Sequence, residues 1–185
     1  MNKMNLNIKC FLLLSLLLLL PDNVVARSLP KDLNENTMIV AVSYTWISKI
    51  GQKTISTSQA KVILRNLDTG KKYTTKYYDK HYTYFVGLDK GTYIVEKIIL
   101  DGSNVKLHIP TSDKTRPFKV NALGVYFLGG VDIIDTQFKV RFDVHDSTRN
   151  QENLEKIKNT LVTKTNFSST IEIQLIENIQ IKEKW

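Results

Sequence analysis

From Phe138 to His145 apolar and polar residues alternate without a break, with Phe138, Val140, Phe142 and Val144 set against Lys139, Arg141, Asp143 and His145. A period of two marks a strand with one buried face, because successive side chains leave opposite sides of the pleat. The pattern recurs. Ala60, Val62 and Leu64 are separated by Lys61, Ile63 and Arg65 within Gln59 to Leu67, and Ile171, Ile173 and Leu175 alternate with Thr170, Glu172 and Gln174 up to Ile176. Met38 to Ile47, rich in β-branched and aromatic residues, reads as a first strand. Asp68-Thr69-Gly70 supplies the turn of a hairpin leading into Lys71 to Tyr78. Asp101-Gly102 marks another turn before Asn104 to Ile109, and Pro110 to Pro117 reads as a polar connection.

Two further segments share a spacing. Phe85 is followed by Gly91 and Tyr93 at the same offsets at which Phe118 is followed by Gly124 and Tyr126. The spacing predicts two strand, tight-loop, strand units of hairpin type, the glycines supplying a positive φ that a Cβ resists. Phe85, Tyr93, Phe118, Tyr126 and Phe142 are the expected core aromatics. Only Arg149 to Lys164 departs from the β pattern, because Leu154, Ile157, Leu161 and Val162 recur at helical spacing, with Thr148 and Gln151 as a candidate capping box. Many short strands and one late helix predict a mainly β protein, an antiparallel β-sandwich with one peripheral C-terminal α-helix.

The N-terminus carries Lys3 and Lys9, then an apolar run from Cys10 to Leu20 interrupted only by Ser15. Eleven residues fall short of the roughly 20 that a membrane-crossing helix needs, so the segment reads as a cleavable signal peptide. Pro21 ends it, and Val24 and Ala26 occupy the −3 and −1 positions of a cut between Ala26 and Arg27. The expected organisation is a signal peptide over 1–26, a polar leader over 27–37, and one sandwich domain over 38–185. The product is expected in the periplasm or secreted, with no transmembrane segment once the signal is removed.

Cys10 is the only cysteine, and it precedes the leucine run, so it cannot serve as a lipidated first residue, and cleavage leaves no cysteine. The exported domain therefore has no disulfide, no thiol nucleophile and no thiolate ligand. Its fold must rest on packing. The precursor has a net charge of +8, to which residues 1–26 contribute two lysines and one aspartate, leaving about +7. Such a charge favours anionic surfaces, but a Lys-, Asn- and Ile-rich composition also follows from a biased genome, which is the plainer reading.

Phe85-Val-Gly-Leu-Asp-Lys-Gly-Thr-Tyr-Ile-Val resembles the corresponding segment of transthyretin-like (prealbumin-like) β-sandwich domains, including the carboxypeptidase regulatory type. Phe118-Lys-Val-Asn-Ala-Leu-Gly-Val-Tyr-Phe-Leu-Gly is similar to a segment of small exported bacterial proteins of that type. Asp89-Lys90 stands where prolines are usual, and Leu123-Gly124 where Ala-Gly is usual. The resemblance spans Gln59 to Asp143 and implies an Ig-like sandwich with a binding or structural role in the envelope. It transfers no catalytic residue.

Catalytic motifs are missing from the sequence. His81, His108 and His145 sit in no metal-spacing motif, no Gly-x-Ser-x-Gly elbow occurs, and Gly129-Gly130 lacks the Lys-Ser/Thr of a phosphate loop. No cofactor is implied and no specific nucleic-acid motif is present. Asp143 and His145, two residues apart on one strand, share a face and form the nearest approach to a site. A hydrolase or metal-dependent enzyme built around them with a third group is the alternative to a non-enzymatic binding protein. Asp132 and Asp135 read as ordinary turn carboxylates.

The most suggestive stretch is Lys71 to Tyr84, where Lys71, Lys72, Lys76, Lys80 and His81 interleave with Tyr73, Tyr77, Tyr78, Tyr82 and Tyr84. Lys71, Lys72, Tyr73, Lys76, Tyr77, Tyr82 and Tyr84 are the candidate contacts for a partner protein, a glycan or an anionic envelope polymer. The competing reading has tyrosines pairing across strands while lysines shield an edge. Strand alternation would place Lys72, Thr74 and Lys76 opposite Tyr73, Thr75 and Tyr77.

Overall fold

The computed structural model describes residues 27–49, 55–57, 60–79, 82–101, 106–111, 115–136 and 140–176. The signal segment and its cleavage site, Lys80, His81, the Gly102 turn, Phe138 and Lys139 lie outside the described residues. The strands are β1 (Met38–Ser48), β2 (Ile55–Thr57), β3 (Ala60–Asn66), β4 (Lys72–Thr74), β5 (Tyr77–Tyr78) and β6 (Thr83–Val86). They continue with β7 (Gly91–Asp101), β8 (Lys106–Pro110), β9 (Phe118–Val120), β10 (Gly124–Asp135) and β11 (Val140–Val144). The helix α1 (Ser147–Lys164) and the strand β12 (Ile173–Leu175) complete the chain. One sheet runs β11-β10-β1-β6-β5, with β12 beside β10 and β2 beside β1; the other runs β4-β3-β7-β8, with β9 beside β7. The protein is a mainly β, two-sheet sandwich with one helix near its C-terminus, as the alternation predicts.

Strand direction departs from the purely antiparallel expectation, because β1 pairs parallel to β10 along its length and β10 pairs parallel to β12. Burial on both faces accounts for it. Met38, Val40, Val42, Tyr44 and Trp46 of β1 join Phe85, Tyr93, Phe118 and Tyr126 between the sheets. Ile39 and Ala41, on the opposite face, join Val125, Phe127, Ile157 and Leu161 beneath α1. Three layers result, helix on sheet on sheet, and the middle sheet places its parallel strands where both faces are covered. Each fully buried aliphatic side chain there contributes about 1.5–3 kcal/mol. Leu29 and Leu33, in the segment expected to be a polar leader, are buried in this second core.

The β3–β4 hairpin forms as expected, with Gly70 at φ 72° and the Asn66 carboxamide accepting from the Asp68 and Thr69 amides. The two units that share a spacing are not hairpins. Phe85 lies on β6 and Tyr93 on β7, in different sheets, and Phe118 on β9 and Tyr126 on β10 likewise. Each unit is an arch from one sheet to the other. Its tyrosine hydroxyl reaches back four residues, Tyr93 donating to the Asp89 carbonyl at 2.5 Å and Tyr126 to that of Ala122 at 2.9 Å. These are tyrosine corners. Gly91 at φ 156° and Gly124 at φ 130° begin the strands that follow.

Phe85, Tyr93, Phe118 and Tyr126 are buried, whereas Phe142, on the edge strand β11, is half-buried against the same core. Helix α1 begins two residues before the expected start and is capped by Asp146, whose carboxylate accepts from Arg149 N at 2.8 Å. Thr148 with Gln151 is therefore not the cap. An aspartate one residue before the helix offers a charged acceptor to the free N–H groups of the first turn.

Candidate functional site

The segment from Lys71 to Tyr78 passes from one sheet to the other. β4 pairs with β3, then Thr75 pins the crossing, its N–H donating to the Val62 carbonyl at 3.1 Å and its hydroxyl accepting from Val62 N at 2.9 Å. Tyr77 and Tyr78 then pair with β6, and Tyr78 N donates to the Arg27 carbonyl at 3.0 Å. The change of sheet ends the strand alternation after Thr74. Lys71, Lys72, Tyr73, Lys76 and Tyr77 consequently line one cleft of about 380 Å³, with Gly87 and Leu88 across from them. The sequence placed cations and tyrosines on opposite faces; the crossing brings them together.

Charge in the cleft is largely paired. Lys71 Nζ lies 2.9 Å from Asp89 Oδ2 and 4.8 Å from the centre of the Tyr73 ring, and the Tyr73 hydroxyl donates to the same carboxylate. The hydrogen bond to Asp89 pushes Lys71 up to about 12. Asp89 is held below the usual carboxylate range by the Tyr73 hydroxyl and then by Lys71. Lys72 Nζ and Arg65 Nε approach Glu96 at 2.5 and 3.3 Å. Lys76 is exposed and makes no ion pair among the described residues. Tyr84 also lines the cleft, though it is buried and its hydroxyl donates to Asp79 Oδ2 at 2.6 Å. Tyr82 is not in the cleft.

Tyr82 belongs to a second cluster that the sequence did not single out. Its hydroxyl donates to Asn153 Oδ1 at 2.9 Å, and Asn153 Nδ2 is 3.1 Å from His145 Nδ1. His145 Nε2 is 3.1 Å from Asp132 Oδ1. Arg149 grips Asp132 with both terminal nitrogens, Nη1 at 2.6 Å from Oδ2 and Nη2 at 3.0 Å from Oδ1. Burial dominates the electrostatics of His145 and lowers its pKa; the hydrogen bond to Asp132 opposes this without overcoming it. Burial alone would raise Asp132, but the hydrogen bonds from Arg149 and His145 together leave it lowered.

Asp143 does not share this site. It pairs with Arg141 at 2.8 Å on the surface, while the buried partner of His145 comes from β10. β11 ends at Val144, so the alternation that would align Asp143 with His145 stops one residue short. Asp132 is no turn carboxylate: it lies in the body of β10, 9 % exposed.

Backbone geometry explains how a histidine fits there. β1 and β10 shift register between Ala41 and Ser43, and Gly129 takes φ 87° in the resulting bulge. At Gly130 a Cβ would stand 2.0 Å from His145 Nδ1, so only glycine allows the ring this close. On its other edge β10 is covered first by β12 and then by β11, and Asn150 closes the gap between them. Asn150 Oδ1 accepts from Gly130 N and its Nδ2 donates to the His145 carbonyl, both at 3.1 Å. The carboxamide takes the place of a peptide group. Ser43, Thr45, Glu152 and Lys156 complete a polar pocket of about 120 Å³ around Tyr82, His145, Arg149 and Asn153.

With both ring nitrogens engaged, His145 has no free lone pair for a nucleophile or a metal. No group of three or more His, Cys, Asp or Glu among the described residues is arranged to hold a metal ion. No helix among them is long and apolar enough to cross a membrane. No protein-family model, curated protein or solved structure matches this chain.

Proposed function

We propose that the protein is an exported, non-enzymatic binding module of transthyretin-like type whose edge cleft takes an anionic polymer of the cell envelope or extracellular space. The observation that carries this reading is the convergence of Lys71, Lys72, Tyr73, Lys76 and Tyr77 on one cleft. Its volume of about 380 Å³ falls within the range of small-ligand sites, about 300–1,000 Å³. Lys71, Lys72 and Lys76 line the cleft, and the carboxylates that pair with them, Asp89 with Lys71 and Glu96 shared between Lys72 and Arg65, are fewer, so the cleft retains positive charge. Such an excess attracts polyanions over long range and is screened by salt. Export rests on the short apolar run and the Ala26 cleavage site. Saturation of both His145 nitrogens supports a non-catalytic role.

The test is retention on immobilised polyuronate and polyglutamate. Wild-type protein should be held at low salt and released as ionic strength passes about 0.1 M, where the screening length is about 10 Å. A Lys71→Glu/Lys72→Glu/Lys76→Glu variant should pass unretained. Equal retention of the two proteins would overturn the assignment of this cleft. Intact-mass and N-terminal analysis of material from the producing cell tests export: the expected product begins at Arg27, and a chain retaining Met1 in the membrane would refute it.

A further inference from the structure

We propose that His145 is an acid-released latch: protonation of its ring unseats the first two turns of α1 from the edge of β10. The hydrogen-bond network fixes the neutral form. Asn153 presents its NH2 to His145 Nδ1, so Nδ1 accepts and the ring proton resides on Nε2, facing Asp132. Asn153 in turn has its oxygen committed to the Tyr82 hydroxyl. A proton added at Nδ1 would set N–H against N–H. Turning the Asn153 carboxamide would relieve that contact only by breaking the bond that the Tyr82 hydroxyl donates to Asn153 Oδ1. Losing a buried hydrogen bond, or setting two donors face to face, is disfavoured.

The surroundings do not welcome the added charge. Of the groups that face His145, Asp132 on β10 attracts it, but that carboxylate is already held by two bonds from Arg149. Asp143, opposite Asp132 in the β10–β11 ladder, is bound to Arg141. On the helix, Arg149 and Lys156 repel an imidazolium, while Asp146 and Glu152 attract it from the cap and the pocket rim. Lys156 and Glu152 stand 3.9 Å apart and largely cancel. Tyr82, Ser43 and Thr45, facing from the other elements, bring no charge at neutral pH. The positive end of the α1 dipole begins two residues after His145 and disfavours a cation. Burial moves the pKa of His145 in the same direction.

The Gly130 backbone lies against the ring and blocks its movement toward β10. The helix can yield, and only at one end. Its second half rests on apolar residues through Ile157 and Leu161, whereas its first half meets β10 through Asn150 and Arg149 and meets His145 through Asn153. Release of that half frees the Gly130 N–H from the Asn150 carboxamide. An edge of β10 between β11 and β12 then opens to solvent or to another strand.

Amide exchange and histidine NMR on the whole protein test this. His145 should titrate below its ordinary 6.5. Below that midpoint the protection of Gly130 and Asn150 amides, corrected for intrinsic exchange, should fall by about tenfold per pH unit. Val95, in the core of the other sheet, should keep its protection over the same range. An Asn153→Asp variant gives a protonated Nδ1 a carboxylate acceptor while keeping an acceptor for Tyr82. It should raise the His145 midpoint above the wild-type value and keep Gly130 protected in acid. Titration of wild-type His145 above 6.5, or Gly130 and Val95 losing protection in parallel, would overturn the proposal. The wild-type measurement decides even if the variant does not fold.

Discussion

The edge cleft and the cluster beneath α1 use the same residue types, tyrosine with basic and acidic side chains, under opposite conditions of solvation. In the cleft, the side chains of Lys71 and Asp89 are 58 % and 62 % exposed; in the cluster those of His145 and Asp132 are 2 % and 12 % exposed. Water screens the first set and leaves its charges available to a partner. Exclusion of water makes each bond of the second set costly to lose, so these groups specify how the helix docks. The difference suits the cleft to binding and the cluster to position or switching.

Substitution at the two places should separate them sharply. His145→Ala removes a buried ring and leaves Asp132 and Asn153 short of partners, and should cost about 3 kcal/mol or more. Chemical denaturation measures this. A shift no larger than that of a surface substitution would remove the contrast between the regions.

Asp132→Asn should cost less, about 1–2 kcal/mol, because the carboxamide oxygen still accepts one bond while the charge that holds Arg149 is lost. Its sharper effect is on pH dependence. His145 and Asp132 both have lowered folded-state values, from 6.5 and 3.8 respectively. A group with a depressed folded pKa contributes stability that is complete above its unfolded value and is lost as pH falls through the folded one. Wild-type stability should therefore decline in two steps, first below about pH 6.5 and again below about pH 3.8. The variant should keep the upper step and show a smaller lower one, since Asp89, also lowered, still contributes there. Denaturation midpoints recorded from neutral to acid pH would show it.

Tyr82→Phe removes the donor to Asn153 Oδ1 and keeps the aromatic ring in the second core. The expected cost is about 1 kcal/mol, toward the lower end for an acceptor left unpaired in the interior. A neutral result would show that water reaches Asn153 and that the cluster is wetter than its burial implies.

The two regions were unequally legible. The Lys and Tyr stretch announces itself by composition, yet its geometry depends on the chain changing sheets at Thr75, a tertiary event that period-two patterning does not register. The arches were visible as a repeated spacing, because Gly-x-Tyr carries local geometry; whether the following strand joins the same sheet or the opposite one is set by distant partners. The cluster was hidden for a different reason. Asn150 and Asn153 lie on the same helical stripe as Ile157 and Leu161, but polar residues there read as the solvent face. His145 and Asp132 meet only through the β10–β11 register. Gly129-Gly130 inside an otherwise apolar strand was the available signal, since glycine in a strand marks a bulge or a close approach of another group.

The smallest effect on stability is expected in the cleft, and it sharpens the comparison most. Lys76 makes no ion pair among the described residues, whereas Lys71 is tied to Asp89 and to the Tyr73 ring. Exposed pairs and single exposed lysines contribute little to folding, so Lys71→Ala and Lys76→Ala should both leave the denaturation midpoint unchanged. Binding should distinguish them. An anionic partner meets Lys76 without first displacing a carboxylate, but it must compete with Asp89 for Lys71. Lys76→Ala should therefore weaken polyuronate retention at low salt more than Lys71→Ala does, and Asp89→Asn, which releases Lys71, should strengthen it. Retention measured across a salt series gives the ranking. If Lys71→Ala and Lys76→Ala behave alike and Asp89→Asn changes nothing, the lysines act as general edge protection rather than as a site.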